Sequence, residues 1–209
     1  TRELGIVTKV AIENLIAQMD EIEQSQTTQY NLASVEPGQI AVVAVAPGPG
    51  IARVFASLGV ASIVAGGQTM NPSTQEILGA FEHLPTDRVI ILPNNKNIIL
   101  AAQAATELTV KQVAVIPSRN VPQGLAAMLR LAPEGEFEEV VEDMVQALKH
   151  VQCGEITTAT RTVEIDEVQV QEGQIIGLLN GKLVVSVDDL EQACLQLLDE
   201  ADAGEFEIL

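Results

Sequence analysis

Four short apolar runs recur along the chain, and each is followed by a polar loop and then by residues with helical periodicity. The runs span residues 40–45, 62–65, 88–92 and 112–116, and the helical segments after them span residues 51–58, 74–81, 97–107 and 123–131. A continuous run of small apolar residues is typical of a strand that is buried on both faces. Four strand–loop–helix units, repeated at roughly 25 residues, predict an α/β fold with a doubly wound, parallel, four-stranded sheet and right-handed crossovers.

The hydrophobic pattern changes after residue 132. Val140, Met144 and Leu148 lie at helical spacing, with acidic residues on the opposite face. From residue 155 the apolar positions alternate, and Asn180-Gly181 is a strong hairpin signal. The predicted strands span residues 155–163, 168–170, 174–179 and 182–185. The pattern therefore predicts a smaller α+β unit after the parallel domain.

A last helix is predicted to extend to Leu198, with its amino end capped by residues 186–189. Its buried stripe is predicted to consist of Leu190, Cys194 and Leu197 or Leu198. Residues 205–209 resemble the start of one more strand. The predicted organisation is a connector at 1–36, a parallel α/β domain at 37–132, and an acidic helix plus an α+β subdomain, truncated at its C-terminus, at 133–209.

The loop after the second predicted strand carries the most distinctive local signals. It reads GGQTMNPS, residues 66–73. Paired glycines permit backbone angles that residues with a Cβ resist, Asn before Pro indicates a turn, and Ser can cap the helix that follows. Ligands of α/β sheets usually bind at such strand ends. The candidate binding residues are Gly66, Gly67, Gln68, Thr69, Asn71 and Ser73, although a well-capped connection without a ligand is an equally good interpretation.

Two further motifs follow GGQTMNPS along the chain, LPNNKNI at residues 92–98 and VPQG at residues 121–124. Together, in this order and at this spacing, the three motifs resemble the C-terminal region of the A subunit of fatty acid kinase. This is a DAK2-domain, dihydroxyacetone kinase-like family associated with DegV proteins. The resemblance extends from about Thr8 to the end of the chain.

The resemblance implies a bacterial protein that works in the phosphorylation of exogenous fatty acids for phospholipid synthesis. In that family an N-terminal kinase domain binds ATP and Mg²⁺, and the C-terminal region binds the acyl-carrying B subunit, which is DegV-like. We therefore expect a partner-binding region that has no cofactor of its own and can form a homodimer. We also expect the chain to be a piece that lacks the kinase domain and a final small subdomain.

Charge and composition limit the possible partners. The net charge is −18, and residues 133–209 contribute −16 of it, from 3 basic and 19 acidic side chains. Such a field repels nucleic acids and anionic membranes, and it fits a basic partner or a simple need for solubility. No apolar run approaches the roughly 20 residues of a membrane-spanning helix. Cys153 and Cys194 have no metal-binding or redox spacing, which indicates reduced thiols in a cytoplasmic protein.

The other loops at the predicted sheet edge also carry polar groups. The prolines in residues 46–50 remove N–H donors that a phosphate cradle would use. Lys96, flanked by Asn94 and Asn95 near a helix start, could hold a carboxylate or phosphate, or the asparagines could simply cap the helix. Arg119 lies in the fourth loop and is the last candidate for binding a ligand or partner at this edge.

No catalytic residue or metal ligand can be assigned from the sequence. The two histidines, His83 and His150, end predicted helices, where a cation is favoured by the helix dipole. Dihydroxyacetone kinases bind their substrate on a histidine, and these loops contain none. Two alternatives to the partner-binding region stay open: a small-molecule phosphatase or dihydroxyacetone kinase-like enzyme acting at the sheet edge, and a dimerisation module.

Overall fold

The computed structural model describes residues 30–165 and 168–205. Most of the predicted connector at residues 1–36 lies outside these ranges. The last four residues of the strand predicted at 205–209 lie outside them as well.

Four parallel strands form the first sheet. They are β1 (Ile40–Ala46), β2 (Ser62–Ala65), β3 (Arg88–Leu92) and β4 (Gln112–Val115), in the spatial order β2-β1-β3-β4. All seven residues of β1 are buried, as expected for a central strand covered on both faces. The predicted parallel, four-stranded α/β sheet is therefore confirmed.

Helices cover both faces of this sheet. The first crossover leads from β1 to β2 on one side, and the later crossovers lead in the opposite direction, past β1 to β3 and then to β4. The helices are α1 (Pro49–Ser57), α2 (Thr74–Glu82), α3 (Ile99–Thr106), α4 (Val121–Met128) and α5 (Phe137–Ala147). Helices α1, α4 and α5 share one hydrophobic core with alternate residues of β1, and α2 and α3 share the other core. The sheet is therefore doubly wound.

The acidic helix α5 packs on the parallel sheet. Phe137, Val140 and Met144 are buried in the same core as residues of β1 and β3, whereas Glu138 and Glu139 are exposed. A short 3-10 helix, Leu148–His150, continues α5. The helix thus shares its core with the strands before it, while the division of the chain at residue 133 stays a prediction.

Antiparallel strands follow, as the alternating pattern predicts. They are β5 (Gly154–Thr158), β6 (Val163–Ile165), β7 (Val168–Val170), β8 (Ile175–Leu179) and β9 (Lys182–Val187), arranged as a sheet β5-β8-β9 and a hairpin β6-β7. Asn180 and Gly181 both have positive φ, 52° and 81°, which matches the predicted hairpin turn. The single strand predicted at 155–163 is wrong, because Ala159 leaves the ladder and exchanges backbone hydrogen bonds with Gln174 and Gly173.

The last helix, α6 (Leu190–Glu200), packs on this second sheet through a narrower stripe than predicted. Ala193 and Leu197 are buried, whereas Leu190 and Leu198 are 57% and 45% exposed. The rotation of the helix follows from two glycines on neighbouring strands: a Cβ at Gly154 or Gly177 would lie 3.0 or 3.5 Å from a Leu197 methyl. The alternative between Leu197 and Leu198 is therefore decided in favour of Leu197, which packs over the two glycines. Cys194 is half-buried, and the prediction that Leu190 is buried was wrong.

Candidate functional site

The four loops that follow β1, β2, β3 and β4 lie at one edge of the sheet, because all four strands are parallel. We call this the carboxyl edge and define it as residues 47–48, 66–73, 93–98, 116–120 and 148–150. Of the sequence candidates, six are exposed: Gln68, Thr69, Asn71, Ser73, Lys96 and Arg119. The others are buried or half-buried: Gly66, Gly67, Asn94 and Asn95.

Gly66 and Gly67 are required for close packing. A Cβ at Gly66 would lie 2.7 Å from Cδ of Pro72 and 2.8 Å from Cγ1 of Val45, and one at Gly67 would lie 2.7 Å from Cβ of Pro47. Neither glycine has a positive φ. The expectation that these glycines provide special backbone angles is therefore wrong, and they instead allow two loops and a strand to approach one another.

Two backbone hydrogen bonds, donated by the same two glycines, also hold the GGQTMNPS loop. The N–H of Gly66 donates to the carbonyl of Ala46 at 3.1 Å, and the N–H of Gly67 donates to the carbonyl of Met70 at 2.7 Å. The loop closed by the second bond exposes Gln68, Thr69 and Met70. Met70 is 55% exposed, and sequence analysis did not select it as a candidate.

Ser73 forms a complete capping box with Glu76 at the start of α2. The Glu76 N–H donates to Oγ of Ser73 at 3.2 Å, and both the N–H and the hydroxyl of Ser73 donate to Oε2 of Glu76 at 2.7 Å. The hydroxyl and then the backbone N–H of Ser73 lower the pKa of the Glu76 carboxyl. Ser73 is thus a structural cap.

Asn94 fills the crevice at which ligands of such sheets usually bind. The crevice lies between the carboxyl ends of β1 and β3, where the crossovers diverge to opposite faces. Asn94 is buried with a φ of 54°, and its Nδ2 donates to the Val45 carbonyl of β1 at 2.9 Å. Its N–H donates to Oγ of Ser118 at 3.0 Å, and that hydroxyl donates to Oδ1 of Asn94 at 2.8 Å. One side chain therefore ties together the ends of β1, β3 and β4.

Gly124 connects the VPQG motif to this asparagine. A Cβ at Gly124 would overlap the Asn94 carboxamide, lying 2.7 Å from its Cγ. Helix α4 therefore approaches Asn94 as closely as it does only because residue 124 has no side chain. The motifs LPNNKNI and VPQG meet in this contact.

The remaining polar side chains of these loops stabilise the backbone. Oδ1 of Asn95 accepts from the N–H of Asn97 at 2.9 Å, and Oδ1 of Asn120 accepts from the N–H of Gln123 at 3.0 Å as the cap of α4. Oε1 of Gln123 in turn accepts from the N–H of Arg119 at 2.8 Å. The Lys96 and Arg119 side chains are exposed above this framework.

Comparison with known proteins agrees with the motifs. The model of the FakA-like C-terminal family, which describes proteins like the A subunit of fatty acid kinase, matches residues 41–209. The chain belongs to this family. Protein YloV of Bacillus subtilis (strain 168) is 37% identical over 206 residues, which are 98% of this chain and 37% of YloV. Uncharacterized protein SAR1202 of Staphylococcus aureus (strain MRSA252) is 34% identical over 210 residues, covering 100% of this chain and 38% of the relative. The chain thus spans well under half the length of these relatives.

In this FakA-like chain, the three motifs converge at the carboxyl edge. Two of them, LPNNKNI and VPQG, are joined through Asn94 and Gly124, and GGQTMNPS packs on Pro47 of the neighbouring loop. In the part of the chain that the structure describes, no helix is both long enough and apolar enough to cross a membrane.

Replacing Ser73 by alanine is expected to remove the cap of α2 in this family member. The expected loss is about 0.5–2 kcal/mol of the free energy of unfolding, because the Glu76 N–H loses its acceptor and the Glu76 carboxylate keeps only the backbone N–H of residue 73 as a donor. Urea denaturation of the variant and the parent measures it. Ser57→Ala is the control, since the exposed Ser57 hydroxyl bonds only the Val54 carbonyl of its own helix and should matter little. Equal midpoints for Ser73→Ala and the parent would contradict the assignment of Ser73 as a cap.

Proposed function

We propose that this chain is the partner-binding region of a two-component fatty acid kinase. In this proposal it binds the acyl-carrying B subunit, called the DegV-like partner below, while a kinase domain outside this chain binds ATP and Mg²⁺. Family membership supports the kinase-related role. The cytoplasm is the proposed location, because free thiols such as Cys153 and Cys194 stay reduced there.

The observation that carries the proposal is the occupied crevice between β1 and β3. Asn94 spans the position where a small substrate of a doubly wound sheet would bind, and its carboxamide bonds Val45 and Ser118. Within residues 30–165 and 168–205, every buried side-chain nitrogen and oxygen has a hydrogen-bond partner. A site with its polar groups already satisfied by the protein supports a binding surface and disfavours catalysis at this edge.

Cys153 does not support the alternative that the chain is an enzyme, because its thiol is not an activated nucleophile. Burial, and to a smaller extent the charge of Glu155, raises the pKa of the Cys153 thiol. Cys153 is therefore protonated at neutral pH, whereas a reactive cysteine needs a lowered pKa.

We expect the 209-residue chain to bind the DegV-like partner and to leave ATP intact. Calorimetric titration with that partner carrying a fatty acid measures the binding, and phosphate release measures turnover. Binding without turnover supports the proposal. Hydrolysis of ATP or of a small phosphate ester above a buffer control, retained through purification, would favour the enzyme. A mass that rises with concentration in sedimentation, together with no binding of the DegV-like partner, would favour the dimerisation module.

A further inference from the structure

The carboxyl edge has a charge opposite to that of the whole chain. The chain has a net charge of −18, yet the segments that form this edge contain no aspartate or glutamate. They contain three cations, Lys96, Arg119 and Lys149, all of them exposed, and the exposed imidazole of His150. One carboxylate borders the edge, that of Glu76 in the first turn of α2, which accepts two hydrogen bonds from Ser73. With three cations against this one anion, the edge is a locally basic surface on an acidic protein.

The 3-10 helix that continues α5 belongs to this edge. Nε2 of Gln123, in the first turn of α4, lies 3.5 Å from the Leu148 carbonyl, and α4 packs against the 3-10 helix. Lys149 and His150 therefore lie near Arg119, which precedes α4. Helices α1, α2, α3 and α4 begin at the carboxyl edge and α5 ends there, so the helix dipoles add positive potential on balance.

Met70 supplies an apolar side chain at the β2 end of this edge, whereas the cations follow β3, β4 and α5. It is 55% exposed, and its loop is fixed by the bond from Gly67 and by the packing of Gly66 and Gly67 against prolines. A flexible apolar side chain on a rigid loop loses little backbone entropy when it enters a partner, and methionine adapts to the shape of a recess. Exposed amides at Gln68 and Asn71 flank it in the sequence.

These features match the components of a protein–protein interface, an apolar anchor together with a polar and charged area on the same edge. The crevice beneath is closed by Asn94, so the surface offers no enclosed cavity for a small ligand at that position. We propose that the DegV-like partner docks on the carboxyl edge through a surface that has an apolar recess for Met70 and carboxylates facing Lys96 and Arg119. This rests on the proposed function, because the DegV-like partner is the one named there.

Helix α4 provides matched charge variants, since it runs from the carboxyl edge to the opposite edge of the sheet. Arg119 precedes its first residue and Arg130 follows its last, and both are exposed. Arg119→Glu is expected to raise the Kd for the DegV-like partner about tenfold, mainly by slowing association, and to weaken the salt dependence of binding. Arg130→Glu changes the net charge equally and is expected to leave the Kd within about twofold.

A second pair of variants, at Met70 and Leu129, tests the apolar anchor. Met70→Glu is expected to raise the Kd about thirtyfold, because a charged carboxylate replaces the apolar group that enters the proposed recess of the partner. Leu129→Glu introduces the same charge at a leucine that is 61% exposed at the far end of α4, and its Kd is expected to match that of the parent. Thermal melting of all four variants, compared with the parent, checks that they remain folded.

Four results would overturn this docking site. Tight binding by Arg119→Glu and Met70→Glu, or weaker binding by Leu129→Glu and Arg130→Glu instead, would place the DegV-like partner elsewhere and leave the proposed function standing. Tighter binding by Arg119→Glu would mean that the facing surface of that partner is basic. Absence of binding by the folded parent chain would overturn the proposed function together with the docking site.

Discussion

Replacing Gly124 by alanine is expected to destabilise this chain by roughly 3–5 kcal/mol, the largest effect that we foresee for a single methyl group. Overpacking a core position costs about 1–3 kcal/mol, and a buried amide that loses its partners costs about another 1–3 kcal/mol. Both costs arise here, because the new Cβ would displace the Asn94 carboxamide from Val45 and Ser118. Urea denaturation measures the loss, which is large against the roughly 5–15 kcal/mol of a typical domain.

Gly79 provides the control for this substitution. It also lies within a helix, α2, but a Cβ there would have no atom within 4 Å. Gly79→Ala is therefore expected to stabilise the chain by about 0.5–1 kcal/mol through helix propensity. The double variant Gly124→Ala, Asn94→Gly tests the mechanism, since a glycine at position 94 keeps the positive φ and vacates the space. Losses that simply add in the double variant would show that the Gly124–Asn94 contact is not the cause.

Gly66→Ala is expected to have the second largest effect, about 1–3 kcal/mol of destabilisation. The added methyl would press on the Pro72 ring and on Val45, and it would strain the bond from the Gly66 N–H to Ala46. Urea denaturation measures the loss. Gly50→Ala is the control, because a Cβ at Gly50 has no atom within 4 Å.

The exposed residues of the same loop should behave differently from Gly66. Gln68→Ala and Asn71→Ala are expected to change the free energy of unfolding by no more than about 0.5 kcal/mol, as surface substitutions usually do. Thermal and urea melts of the variants provide the comparison. A Gly66→Ala variant as stable as the parent would show that the loop yields, and it would weaken the case that GGQTMNPS is a rigid platform for Met70.

The candidate site was predictable where its interactions are local. The Ser73 cap follows from the sequence, since its partner Glu76 is three residues away, and the turn at Asn95 spans two residues. Met70 was missed because one apolar residue in a polar loop looks the same in the sequence whether it is buried or exposed. Its exposure depends on the prolines that pack against Gly66 and Gly67 from two different loops.

The sequence by itself determined the four parallel strands, the helices between them and the change to antiparallel strands, because buried strands and amphipathic helices have periods that are visible over a few residues. The tertiary structure decided what those elements do at the carboxyl edge. Asn94 bonds partners 24 and 49 residues away, and it reaches both because β3 lies between β1 and β4. A periodic pattern specifies which face of a strand is apolar but not which strand lies beside it. Only the folded chain could therefore show that Asn94 fills the crevice and that Lys96, Arg119 and Met70 are left on the surface.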